Sequence, residues 1–244
     1  MVSKNQIKRI TGLHQKKYRQ QEGLFLAEGA KVISELLESD FELEHLFETE
    51  PLFPEIADAR KTSATASDLK KMTTLSTANN CLAVFHIPNP KPIDKTGIIV
   101  ALDDIRDPGN LGTIVRLCDW FGISEVVCSR ETAELYNPKV VQATMGSLTR
   151  VNVSYLDLPE FLSNAELPVF GTFMDGDDIY SEALPQNGII VMGNEANGIS
   201  REVETLVNKR ISIPRFGNLQ KTESLNVATA TAIVLSEFRR TRNG

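Results

Sequence analysis

The chain has 244 residues, 41% of them hydrophobic and 24% charged, with a formal net charge of −6. These are the proportions of an ordinary soluble globular protein, long enough for one large domain or two modest ones. No apolar run approaches the roughly 18 to 20 residues that cross a bilayer, and the acidic balance argues against a blanket nucleic-acid binder.

The first residues, "MVSKNQIKRI", have no apolar h-region, so a cytoplasmic protein is expected rather than a secreted one. Residues 1 to 20 are nevertheless locally basic, with Lys4, Lys8, Arg9, Lys16, Lys17 and Arg19 and no acidic residue. A second basic cluster, Arg239, Arg240 and Arg242, lies near the end of the chain. Such patches are either solvated surface or places where phosphates are met.

A helical pattern covers residues 4 to 21 and a short strand follows at "LFLAEG". Next come a helix at "AKVISELLES", a strand near "LEHLFE", a helical "SDLKKMTTL" and a strand at "CLAVFHI". This makes a small α/β domain over residues 1–88. Three prolines in "IPNPKPIDKTG" mark residues 89–97 as a linker. Cys81, Cys118 and Cys128 show no CxxC spacing and read as buried small hydrophobes in a reducing compartment. His14, His45 and His86 are scattered, so no metal site is expected.

Residues 98–244 alternate more clearly. Strands are expected at Ile98–Leu102, Glu125–Cys128, Val151–Tyr155, Val169–Phe173, Ile189–Met192 and Arg210–Ile213. Helices are expected at Leu111–Phe121, Lys139–Leu148, Leu158–Ala165, Arg201–Asn208 and about Ser224–Arg240. Apolar strands alternating with helices imply a parallel sheet covered on both faces. Ligands of such sheets bind beyond the carboxyl ends of the strands.

Three loops at those ends carry the polar residues. In "DPGNLG", Pro108 and Gly109 make a tight turn and Asn110 sits where a helix N-cap belongs, a sufficient role by itself. Six residues later Arg116 lies off the apolar face formed by Leu111, Ile114, Val115, Cys118 and Phe121, pointing to solvent or back over the loop. In "VMGNEANGIS", Gly193 lets a ligand approach the backbone, Glu195 is a surface charge or a carboxylate held for a task, and Ser200 caps the next helix. In "ISIPRFGNLQKTESLNVATATAIVLSEFRR", Ser224 suits an N-cap and Asn226 the first helical turn. The helix that follows is rich in Ala, Thr and Val on every face, which suits burial against another subunit.

Each loop is weak alone, but the three in this order form a specific pattern. "DPGNLGTIVRLCDWFG", "GNEANGIS" and "ISIP…SLNVATATAIVLSEF" resemble the three motifs of the SpoU (TrmH-like) RNA ribose 2′-O-methyltransferases of the SPOUT superfamily, over residues 98 to 241. More diffusely, "KKYRQQEGLFLAEGAKVISELL" is similar to the ribosomal-protein-like RNA substrate-binding domain that precedes the catalytic domain in many members. The resemblance implies a parallel sheet with a C-terminal trefoil knot, S-adenosylmethionine (S-adenosyl-L-methionine) as cofactor, and a homodimer. It implies cofactor contacts at Gly193, Ile213 and Leu225, and an active site of Asn110, Arg116, Glu195, Ser224 and Asn226. Structured RNA is the implied substrate, rRNA more than tRNA. Two departures stand out. Ala196 occupies a position where glycine is common, and the loop Arg215–Glu223, with Lys221 and Glu223, is longer than usual.

The alternatives are a non-catalytic RNA-binding member of the same fold, or a nucleotide-dependent oxidoreductase. The second has no support: no GxGxxG follows a strand, and the chain has no Gly-Lys pair for a P-loop.

Overall fold

The computed structural model describes residues 2–217 and 224–240. In chain order the elements are α1 (Lys4–Gly12), α2 (Lys16–Glu22), β1 (Leu24–Glu28), α3 (Ala30–Leu37), β2 (Leu43–Glu48), β3 (Lys61–Ser63), α4 (Ala66–Met72) and β4 (Cys81–His86). They continue with β5 (Ile98–Asp103), α5 (Pro108–Trp120), β6 (Glu125–Cys128), α6 (Pro138–Thr144), β7 (Asn152–Tyr155) and α7 (Leu158–Ser163). The last are β8 (Val169–Asp178), β9 (Gly188–Gly193), α8 (Arg201–Glu204), β10 (Lys209–Ser212) and α9 (Val227–Arg239).

Two compact units form. The first holds the chain up to Pro90 together with Glu134–Thr149. Its sheet has the order β1-β4-β2-β3, with β4 antiparallel to both neighbours and β3 parallel to β2. Leu24, Leu26, Leu82 and Val84 put one face of that sheet into a core with Leu13, Leu69 and Met72. The expected single helix over 4 to 21 is two. The break is stabilised by Arg19, which is 1% exposed. Its guanidinium donates to the carbonyls of Leu13 (2.8 Å) and His14 (2.9 Å) and pairs with the Glu134 carboxylate. Glu134–Thr149, assigned by pattern to the second domain, thus belongs with the first unit. The Tyr136 ring lies 4.8 Å from that of Phe25, and α6 packs on β1.

The second unit holds Lys91–Ala133 and the chain from Arg150 onward. Its six-stranded sheet, β10-β8-β9-β5-β6-β7, is parallel at every pairing. All of β5 is buried, as a central strand covered on both faces requires. Ile99, Ala101, Ile189 and Val191 face Leu158 and Leu162 of α7 and Val203 of α8. On the opposite face α5 and α9 pack together, and Phe238 meets Phe170 edge-on at 5.2 Å. Burial raises the thiol pKa of Cys118 and Cys128 well above the ordinary cysteine range, so both behave as apolar core residues.

Three elements differ from their expected spans by four residues or more. One of them, α6, ends at Thr144 rather than Leu148, and Met145 after it takes a positive φ of 52°. Strand β8 runs on to Asp178, pairing with β10 in two registers. Arg210 lies opposite Gly171, but Ile211 lies opposite Asp177. Gly176 permits this, because a Cβ there would stand 2.5 Å from the Ile211 carbonyl carbon. Helix α8 stops at Glu204 rather than Asn208. Asn208 is drawn to the start of β8, where its Oδ1 accepts from Val169 N at 2.8 Å and its N–H donates to Val169 O at 2.9 Å. Among the described residues no helix is long and apolar enough to cross a membrane, and no His/Cys/Asp/Glu group could hold a metal ion.

Candidate active site

At the end of β5 the chain turns sharply. Asp104 takes a positive φ of 60°, uncommon outside glycine but best tolerated by Asp and Asn. Two buried hydroxyls hold the turn: Ser129 Oγ accepts from Asp104 N (2.9 Å) and Thr132 Oγ1 from Ile105 N (3.2 Å). Asp107 then caps α5, its Oδ1 accepting from Asn110 N at 2.8 Å. This corrects the expectation that Asn110 occupies the cap. Pro108 is pre-set for the first helical position, so the residue before it becomes the cap. Asn110 falls in the first turn with its side-chain amide released for other work.

The β9 loop folds back on itself. Asn194 N donates to Gly198 O (3.0 Å) and Gly198 N to Asn194 O (2.8 Å). Asn194 Oδ1 accepts from Ala196 N and Asn197 N, and its Nδ2 donates to Asp104 O at 2.7 Å, tying this loop to the one after β5. A second tie joins buried Asp103, whose Oδ2 accepts from Ser200 N at 2.7 Å. Only glycine fits at 193, since a Cβ would lie 2.4 Å from Gly198 C and from Ile199 N.

At the third loop the cap assignment also shifts. Asn226, not Ser224, caps α9, its Oδ1 accepting from Thr229 N at 3.1 Å, while Ser224 is exposed ahead of the helix. Asn226 Nδ2 donates to Asn110 Oδ1 at 2.9 Å, and Asn110 Nδ2 donates to the Glu195 carboxylate. Three residues from three loops therefore form one directed chain, Asn226 to Asn110 to Glu195. A carboxylate can only accept, so it fixes which way round both amides stand.

Gly193, Glu195, Ile213, Ser224 and Leu225 line one cleft of about 1310 Å³. Its inner wall is apolar, with buried Met192, Ile199, Ile211, Val227 and Val234. Asn110 and Asn226 stand behind Glu195, through the bonds just given. Arg116 is not brought in: it is exposed on α5 and makes no hydrogen bond or ion pair among the described residues. Lys221 and Glu223 lie outside the described residues. Asp103, Asp104, Asp107 and Asn194 were missed from sequence. The acidic pair directly after a buried strand was the available signal for the first two.

Residues 97–236 match the family described as SpoU rRNA Methylase, and residues 4–83 match the MRM3-like substrate binding domain. The chain belongs to the SpoU rRNA methylase family. It is 30% identical to the 23S rRNA (guanosine(2553)-2′-O)-methyltransferase RlmP of Bacillus subtilis, over 97% of each chain. Among solved structures it is similar to a TrmH-family protein from Porphyromonas gingivalis, with 39% identity, a TM-score of 0.89, and 98% and 99% of the two chains covered. It is also similar to an AdoMet-bound rRNA methyltransferase from Sinorhizobium meliloti, with 28% identity and a TM-score of 0.87, covering 100% and 98%. The three loops assembled here all lie within the matched residues.

Proposed function

We propose that this SpoU protein transfers a methyl group from S-adenosylmethionine to a ribose 2′-hydroxyl in rRNA. The observation that carries the reading is the bonded chain Asn226–Asn110–Glu195 at the mouth of a cleft with an apolar inner wall. The cleft suits the cofactor: its apolar inner wall would take the flat adenine, and Gly193 lets the β9 loop fold back to shape that wall. Gly193, Ile213 and Leu225 hold the cofactor, which supplies an activated methyl carbon when bound.

The chain's own residues must align the acceptor oxygen with that carbon, and positioning supplies much of the rate in such transfers. Glu195, with Asn110 and Asn226 behind it, orients the ribose, and Ser224 closes the site. A 2′-hydroxyl attacks well only as its proton leaves. Arg116 serves not as a base but as a grip on the adjacent phosphate and a partner for the developing alkoxide.

Arg116 stands apart from the Asn–Glu chain on the exposed side of α5, which also carries Trp120, 83% exposed. A homodimer accounts for both: the partner covers this helix and brings Arg116 to an acceptor. The trefoil knot of the family belongs to the same reading, supported by the match of residues 97–236 to that family. Residues 1–88, with the Glu134–Thr149 segment that packs in the same unit, read structured RNA, residues 89–97 connect, and the rest of the chain from Ile98 catalyses. An rRNA substrate agrees with a cytoplasmic enzyme. The test is transfer of label from S-adenosylmethionine to total RNA of a strain lacking this gene, fractionated into rRNA and tRNA. Label confined to tRNA would remove the rRNA assignment.

A further inference from the structure

We propose that Phe216 is a stacking platform for the nucleobase of the target nucleotide, turned out of the folded RNA. The proposal rests on the methyltransferase reading above. Phe216 is 83% exposed, makes no ring contact among the described residues, and lines the same cleft as Glu195 and Ser224. A phenylalanine left in water forgoes the stabilisation that burial of its ring would bring.

Met174, 53% exposed on β8, shares the cleft, beside Leu225 that is already assigned to the cofactor. Phe216 and Met174, from two separate segments, thus give the mouth an apolar rim. The inner wall, by contrast, is buried before anything binds. A small ligand seated against the inner wall is enclosed there, whereas the rim is open to a ligand arriving from solvent. Base and ribose enter together, because the base is attached to the carbon next to the one bearing the acceptor hydroxyl. An exposed ring lining the cleft that Glu195 also lines therefore meets the base as it enters, and an aromatic face accepts any base.

The test uses the full chain, with Phe216→Ala and Phe216→Trp, and total RNA from a strain lacking the gene. Stacking on one aromatic ring contributes a factor of roughly 5 to 150 in binding. F216A should raise KM for RNA about tenfold while S-adenosylmethionine affinity by calorimetry stays within about twofold, and F216W should restore most of the loss. Weakened cofactor binding with unchanged RNA binding would overturn the proposal, since the ring would then serve the cofactor's adenine. Unchanged affinity for both would overturn it equally. If the wild-type protein transfers no methyl group, the reaction assignment fails. Filter retention of the same RNA by wild type and F216A then still decides whether the ring binds RNA.

Discussion

Gly193→Ala tests whether the fold-back of the β9 loop builds the site. The new Cβ would stand 2.4 Å from two backbone atoms, Gly198 C and Ile199 N, where ordinary contact begins at 3.4 Å. Backbone must therefore move by about 1 Å, and no side-chain rotation relieves it. Overpacking of this kind costs about 1–3 kcal/mol. Against it, alanine stiffens the unfolded chain and returns ~0.4–1 kcal/mol. A net loss of about 1–2 kcal/mol lowers Tm by roughly 2–8 °C for a unit of this size. The larger effect is on function, because the displaced loop carries Glu195 away from Asn110. A misplacement of about 1 Å in a positioned site costs ~100-fold in turnover. Calorimetry with S-adenosylmethionine, thermal melts and methyl-transfer rates measure the three quantities. Gly217→Ala is the control, since a Cβ there meets nothing within 4 Å, and it should change stability by no more than about 0.5 kcal/mol. Wild-type affinity and turnover in G193A would show that the fold-back does not build the site.

Arg116→Ala should lower methyl transfer by about 100-fold or more, as loss of a transition-state donor does, while cofactor affinity by calorimetry is unchanged. Asn226→Asp separates two roles: the carboxylate still caps α9 through Thr229 N but cannot donate to Asn110, so Tm should hold while turnover falls. Asn226→Ala should lose both, with about 1 kcal/mol of stability from the cap. Arg19→Met strips the buried partner from Glu134 and the donor from two carbonyls, and should destabilise the first unit by about 3 kcal/mol in denaturant melts.

The central strands were legible because burial on both faces writes a continuous apolar run, as in "IIVALD" and "GIIVMG". Helix starts were less so. "DPGN" and "SLN" each offer two capping residues, and the choice turned on Pro108 in one case and on the bond from Thr229 N to Asn226 in the other. Strand β3, three residues with no apolar pattern, left no trace, and the second register of β8 depends on a close approach at Gly176. The break between α1 and α2 depends on Arg19, whose partner Glu134 is 115 residues away. The site's residues could be named individually, but not their bonds: Asn110 and Glu195 are 85 apart in sequence and Asn110 and Asn226 are 116 apart. No local period encodes such pairings. Arg116 is the residue whose role the single chain explains least, which is why its proposed function invokes a second copy.

The central claim is that the methyl group ends on a ribose oxygen of rRNA. The most direct measurement incubates the purified protein with isotopically labelled S-adenosylmethionine and total RNA from a strain lacking the gene. The rRNA is then digested to nucleosides for mass spectrometry. Label should appear in a single 2′-O-methylated nucleoside, with the added mass on the sugar fragment. Label on a base fragment, or none in rRNA, would contradict it.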